Sequence, residues 1–131
     1  PHGFEFRPME GGGTRFEILM NKTKAENVSF EMDVFWVFHA GVDPVALLKK
    51  YPDRWRLMHV KDIRKGVVTG SHTGHAPATD NVPVGQGQID WPAVLRAARD
   101  VGVKYYFIED ETTAPLDCIP ASLEYLRGLK L

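Results

Sequence analysis

Strand-like and helix-like runs alternate along the whole chain, and this limits it to a narrow set of folds. "HGFEF" (His2 to Phe6) reads as the tail of a strand, and "EGGG" is a flexible connector. "TRFEILMNKTK" places Phe16, Leu19 and Met20 on one face, with Thr14 as N-cap. "NVSFEMDVFWV" is rich in β-branched and aromatic residues and reads as a strand. "GVDPVALLKKY" is a helix capped by Asp43, with Pro44 at its first position. "WRLMHVKD" (Trp55 to Asp62) is the next strand, followed by a long loop dense in Gly, Pro, Thr and Asn. "DWPAVLRAARDVG" is a helix capped by Asp90 and stopped by Gly102, and "VKYYFIEDE" is a strand. "APLDCIPASLEYLRGLKL" is a final helix with Leu116, Ile119, Leu123 and Leu126 on one stripe. Such alternation implies parallel strands joined by right-handed crossovers, an α/β fold. Four βα units are half of a (β/α)₈ barrel, which needs about 250 residues. A small doubly wound sheet fits the 131 residues equally well.

In either fold, ligands bind at the C-terminal edge of the strands. Three strands carry metal-ligating groups there: Asp33 in "FEMD", His59 in "RLMHVKD" and Glu109 in "YFIEDE". Two carboxylates and an imidazole suit a divalent cation such as Mn, Mg, Co, Fe or Zn. Each residue also has a plainer reading. Asp33 caps a loop or pairs with Lys61 or Arg64, His59 is a satisfied core histidine, and residues 109–111 form a solvated acidic corner. Their recurrence at equivalent places in successive units favours the metal.

Lys61 and Asp62 follow His59 directly, and Lys61 is either a holder of substrate oxygens or a strand-end salt bridge. His72 and His75 ("HTGH") are substrate contacts or solvent-exposed loop histidines. Gly85 and Gly87 in "VGQGQIDW" shape a turn, because a lone G-x-G is weak evidence for phosphate binding.

Sixteen basic residues against 17 acidic ones give a net charge of −1, which offers nucleic acid or an anionic membrane no attractive field. No apolar run approaches the ~18 residues of a membrane span. The single cysteine excludes an internal disulfide and fits a cytoplasmic setting. The opening "PHGFEFRP" lacks Met and any leader pattern. We therefore expect one partial domain over residues 1–131, with the N-terminal half missing and any targeting segment out of view.

The runs "FEMDVFWVFHAGVDPVALLKKYPDRWRLMHVKD", "VPVGQGQIDWPAVLRAARDVGVKYYFIEDE" and "SLEYL" resemble the C-terminal half of the sugar phosphate isomerase/epimerase group. These are the xylose isomerase-like TIM barrels. The resemblance implies one divalent cation held by ligands from strands five to eight. Asp33, His59 and Glu109 match the last three of them. "PHGFEF" is similar to a histidine-containing variant of strand five, which gives His2 a place beside the substrate. Trp36 stands where many epimerases carry a second histidine, and implies an aromatic wall against the sugar or plain packing.

The implied reaction is proton abstraction beside a carbonyl, with the cation stabilising the enediolate. Glu109 and Lys61 are the catalytic candidates; His2, Trp36, Asp62 and His72 are the substrate-binding ones. The implied partner is a small carbohydrate or sugar phosphate. Three other readings stay open. One is a lyase of the same fold acting on a keto-inositol or a 3-keto-glycoside. Another is an endonuclease-IV-like hydrolase, which the charge disfavours. The last is an inactive half-barrel whose open edges drive homo-oligomerisation.

Overall fold

The computed structural model describes residues 1–131. In chain order the elements are α1 (Arg15–Lys22), β1 (Phe30–Asp33), α2 (Val34–His39), α3 (Pro44–Lys50), β2 (Trp55–Val60), β3 (Asp62–Ile63), β4 (Asn81–Val82), α4 (Trp91–Asp100), β5 (Tyr105–Ile108) and α5 (Pro115–Gly128). Strands β1, β2 and β5 form one parallel sheet in that order. The register places Asp33 beside His59, and His59 beside Phe107. Residues just beyond these strands therefore meet at a single edge.

Local chemistry sets the helix boundaries. Thr14 accepts from Glu17 N–H while the Glu17 side chain accepts from Thr14 N–H, closing a capping box on α1. Asp43 accepts from Val45 and Ala46 N–H at the start of α3, and Asp90 from Ala93 N–H at the start of α4. Gly102, at φ 82°, ends the turn after α4 in a conformation that side chains resist. The core gathers Phe16, Trp55, Met32 and Met58 with Leu48, Trp91 and Ala98, all buried.

Several expectations change here. "HGFEF" forms a single 3-10 turn over Phe4–Phe6, so the first unit contributes no strand to the sheet. The "VFWV" run is α2, because β1 stops at Asp33 and the helix starts at once. Its residues are buried on every side, so their hydrophobicity carries no period. The stripe of α5 is largely uncovered. Leu116 is 88% exposed, and Ile119 and Leu123 are also open to solvent, as are Tyr105, Tyr106 and Phe107 on β5. The helix is fixed instead through Ser122, whose hydroxyl accepts from Val84 N–H and donates to Cys118 C=O.

Candidate metal centre and adjoining pocket

The site begins where β1 becomes α2. Asp33 is the last strand residue and also the helix N-cap: its Oδ1 accepts from Trp36 N–H at 3.0 Å. That bond fixes the carboxylate and leaves Oδ2 facing His59 Nδ1 at 3.4 Å. His59, on β2, has Glu109 Oε2 at 2.8 Å from the same nitrogen. Glu109 follows β5 directly, and its N–H bonds Val60 C=O across the sheet. One potential ligand atom from each of Asp33, His59 and Glu109 lies within 4.8 Å of the others.

These spacings suit a cation. Ligands about 2.1 Å from a common centre sit roughly 3–3.5 Å from one another, and the two distances to Nδ1 fall at or near that range. The donor set also fits, with two carboxylates and one imidazole for a borderline divalent ion. Without a cation, a proton takes its place. The His59 imidazole is pushed up to about 9, by the Asp33 carboxylate first and then by the charges of Glu109 and Glu31, with partial burial opposing them.

Lys61 lies beside the cluster and is almost wholly buried. Its ammonium pairs with Glu111, sits 3.9 Å from Glu109, and lies over the rings of Phe35 at 4.9 Å and Trp36 at 5.3 Å. Two carboxylates and two aromatic faces together offset the cost of burying it. Helix α2 thus supplies both the Asp33 cap and the aromatic bed under Lys61.

A pocket of about 490 Å³ opens next to this pair, lined by His2, Trp36, Gly74, His75, Ala76 and Glu111 among others. The His2 and Trp36 rings sit 5.9 Å apart. His2 and Trp36 both line this pocket. His72 is not on the pocket wall, and His75 is. Asp62 is fully buried and accepts from the N–H groups of Ile63, Gly85, Gly87 and Ile89. It is a staple for the "GQGQ" loop with no oxygen free for a substrate. Burial pushes its carboxyl up, while those N–H groups pull it down. Gly87 has no space for a side chain against Asp62, which confirms the glycines as turn formers.

The sequence pattern gives Glu31 no role, leaves His75 between substrate contact and loop histidine, and puts Glu111 in a solvated acidic corner. Glu31 was within reach of the pattern, since residues two apart on a strand share a face and Glu31 precedes Asp33 by two.

The sequence profile of the xylose isomerase-like TIM barrel matches residues 9–129. The chain belongs to this family. An inosose dehydratase of Lacticaseibacillus casei is 26% identical over 108 residues, covering 78% of this chain and 36% of the relative. The chain therefore spans about a third of the length of that relative. Among solved structures, a sugar phosphate isomerase/epimerase of Parabacteroides distasonis superposes with a TM-score of 0.76 at 23% identity, covering 98% of this chain and 44% of that one. A probable 3-DHS dehydratase of Bacillus anthracis superposes with a TM-score of 0.69 at 16% identity, over 88% of this chain and 44% of that one. The three-stranded parallel sheet and its helices are thus part of a xylose isomerase-like barrel.

Proposed function

We propose that the chain carries the metal-binding edge of a divalent-metal-dependent sugar or sugar phosphate isomerase/epimerase. The observation that supports this best is the meeting of Asp33, His59 and Glu109 at the ends of three adjacent strands, beside a buried lysine and an open polar pocket. Asp33, the Nδ1 of His59 and Glu109 would hold the cation. A cation so held supplies Lewis-acid polarisation of a neighbouring carbonyl or hydroxyl, which eases proton loss from the adjacent carbon. Glu109 turns Oε2 toward His59 and Lys61, and in this reading its other carboxylate oxygen takes that proton. Lys61 holds positive charge next to the same carboxylate and donates to an oxygen that gains charge. His2 and the Trp36 face form one wall of the sugar pocket, with Glu111 and His75 as polar contacts on the other sides.

A second reading is favoured by the relative named inosose dehydratase. The same proton abstraction, followed by departure of a neighbouring hydroxyl, is a dehydration. Titrating Mn²⁺ into the full chain and into Asp33→Asn and His59→Ala tests the site. Both variants are expected to lose at least ~10-fold in affinity, and full affinity in both sinks the assignment. NMR of the products separates the reactions, because an isomerase conserves the formula and a dehydratase releases water.

A further inference from the structure

The imidazole of His59 has two nitrogens, and the cluster described above uses only one. Its Nδ1 faces Asp33 and Glu109; its Nε2, on the opposite edge of the ring, lies 3.2 Å from Glu31 Oε1. Glu31 and Asp33 are two apart on β1, with the fully buried Met32 between them pointing to the other side of the sheet. One short strand thus presents two carboxylates to the two edges of a single ring.

We infer that Glu31 is a positioning residue for the metal centre: it accepts the Nε2–H of His59 and so commits Nδ1 to the cation. This rests on the metal reading of the site. A neutral imidazole that offers Nδ1 as a lone pair carries its proton on Nε2, and that N–H needs an acceptor. Glu31 is the carboxylate on that edge. The ring nitrogens diverge, so Glu31 cannot reach the ion that Nδ1 binds, and it stands outside the group whose ligand atoms converge. A carboxylate behind a metal-bound histidine fixes tautomer and ring orientation and makes the ligand more basic. Glu31 is half-buried on the outer strand of the sheet, so replacing it removes no core contact.

Calorimetric titration of Co²⁺ into the full chain tests this, using wild type, Glu31→Ala, Glu31→Gln, His59→Ala and the Glu31→Ala/His59→Ala pair. Glu31→Ala is expected to weaken Co²⁺ binding about 10- to 100-fold. Glu31→Gln keeps an acceptor oxygen and recovers a clear part of that loss. Once His59 is gone, removing Glu31 changes the affinity by less than about threefold, because the residue acts through the ring. The visible spectrum of bound Co²⁺ keeps its band positions in Glu31→Ala at saturation and changes in His59→Ala.

Wild-type affinity in Glu31→Ala overturns the inference. So does an equal loss with and without His59, which marks Glu31 as a ligand, or an equal loss in the Gln and Ala variants, which marks simple charge attraction. A wild-type chain that binds no Co²⁺ removes the metal reading and this inference together. A chain whose Co²⁺ binding depends on Glu31 but which converts no sugar removes only the proposed reaction.

Discussion

Gly87→Ala is the sharpest test of how the site is held in place. A Cβ at this position would lie 2.1 Å from Asp62 Oδ1, 2.3 Å from Ile63 O and 2.4 Å from Asp62 Cγ. Backbone or carboxylate must retreat by roughly 1 Å before the contact is tolerable. The Asp62 carboxylate holds Gly87 N–H at 3.1 Å, Gly85 N–H at 2.9 Å and Ile89 N–H at 3.4 Å. A shift of that size breaks at least two of these bonds. Asp62 is fully buried, so water does not replace them. Hydrogen bonds to a charged group contribute about 1.5–3 kcal/mol each, which puts the loss at about 3–5 kcal/mol. In a chain of this size that lowers the Tm by roughly 10–20 °C.

Urea and thermal unfolding followed by circular dichroism measure it, with two controls. Gly66→Ala meets nothing within 4 Å but sits at φ 87°, so it isolates backbone strain. Gly128→Ala meets nothing at the end of α5 and is expected to be neutral or to stabilise by up to ~1 kcal/mol. If Gly87→Ala proves no worse than Gly66→Ala, the close packing of the loop on Asp62 is not what holds it.

Arg54 is buried without a carboxylate partner: it donates to Met20 C=O at 2.7 Å, Thr23 Oγ1 at 2.6 Å and Val28 C=O at 3.4 Å, and packs over the Phe30 ring. Arg54→Met, which keeps the bulk and removes the donors, is expected to cost about 2–4 kcal/mol in urea unfolding, because two carbonyls are left unpaired. Stability against pH has a separate signature in the metal-free chain. Burial holds His39 below its ordinary 6.5, against the opposing pull of Asp80 and the Ser71 backbone, so the unfolded chain takes up the proton first and stability falls as pH drops below about 6.5. His59, raised to about 9, acts the other way: its contribution is complete below 6.5 and is lost as pH rises through about 9. Unfolding free energies measured from pH 5 to 10 are expected to show both limbs, with His39→Phe flattening the acidic one and His59→Ala the alkaline one; unchanged slopes in these variants refute the assignments.

The elements most legible in the sequence are those whose ends carry their own chemistry. Thr14, Asp43, Pro44, Asp90 and Gly102 mark α1, α3 and α4 because a cap is a short-range event between neighbours in the chain. Asp33, His59 and Glu109 were legible as a set because parallel strands bring their C-terminal ends to one edge whatever the spacing in sequence. The misreadings share one physical cause: they concern partners that distance along the chain conceals. Asp62 looked like a pocket residue, and its role follows from four N–H groups, three of them more than 20 residues away. The α5 stripe has core periodicity, yet whether it is covered depends on what packs there. His72 and His75 are chemically alike, and only the path of the loop decides which one reaches the pocket.

The "FEMDVFWV" run shows why fold and site cannot be assigned separately. Read as a continuous strand, Asp33 is an ionised group inside an apolar segment and needs a partner from elsewhere. In the structure its two oxygens have different duties. Oδ1 ends the strand by capping α2, and Oδ2 turns toward His59. Starting the helix at Val34 brings Phe35 and Trp36 round beneath the Lys61 ammonium, which a strand, with its side chains alternating between two faces, would not do. The cap therefore orients the proposed ligand, ends the strand at the height of His59 and Glu109, and provides the aromatic surface that allows a lysine to be buried next to them. A substitution that keeps one Asp33 oxygen and neutralises the other is thus a change to the chemistry with little change to the fold, and Asp33→Asn is the variant in which the two duties separate.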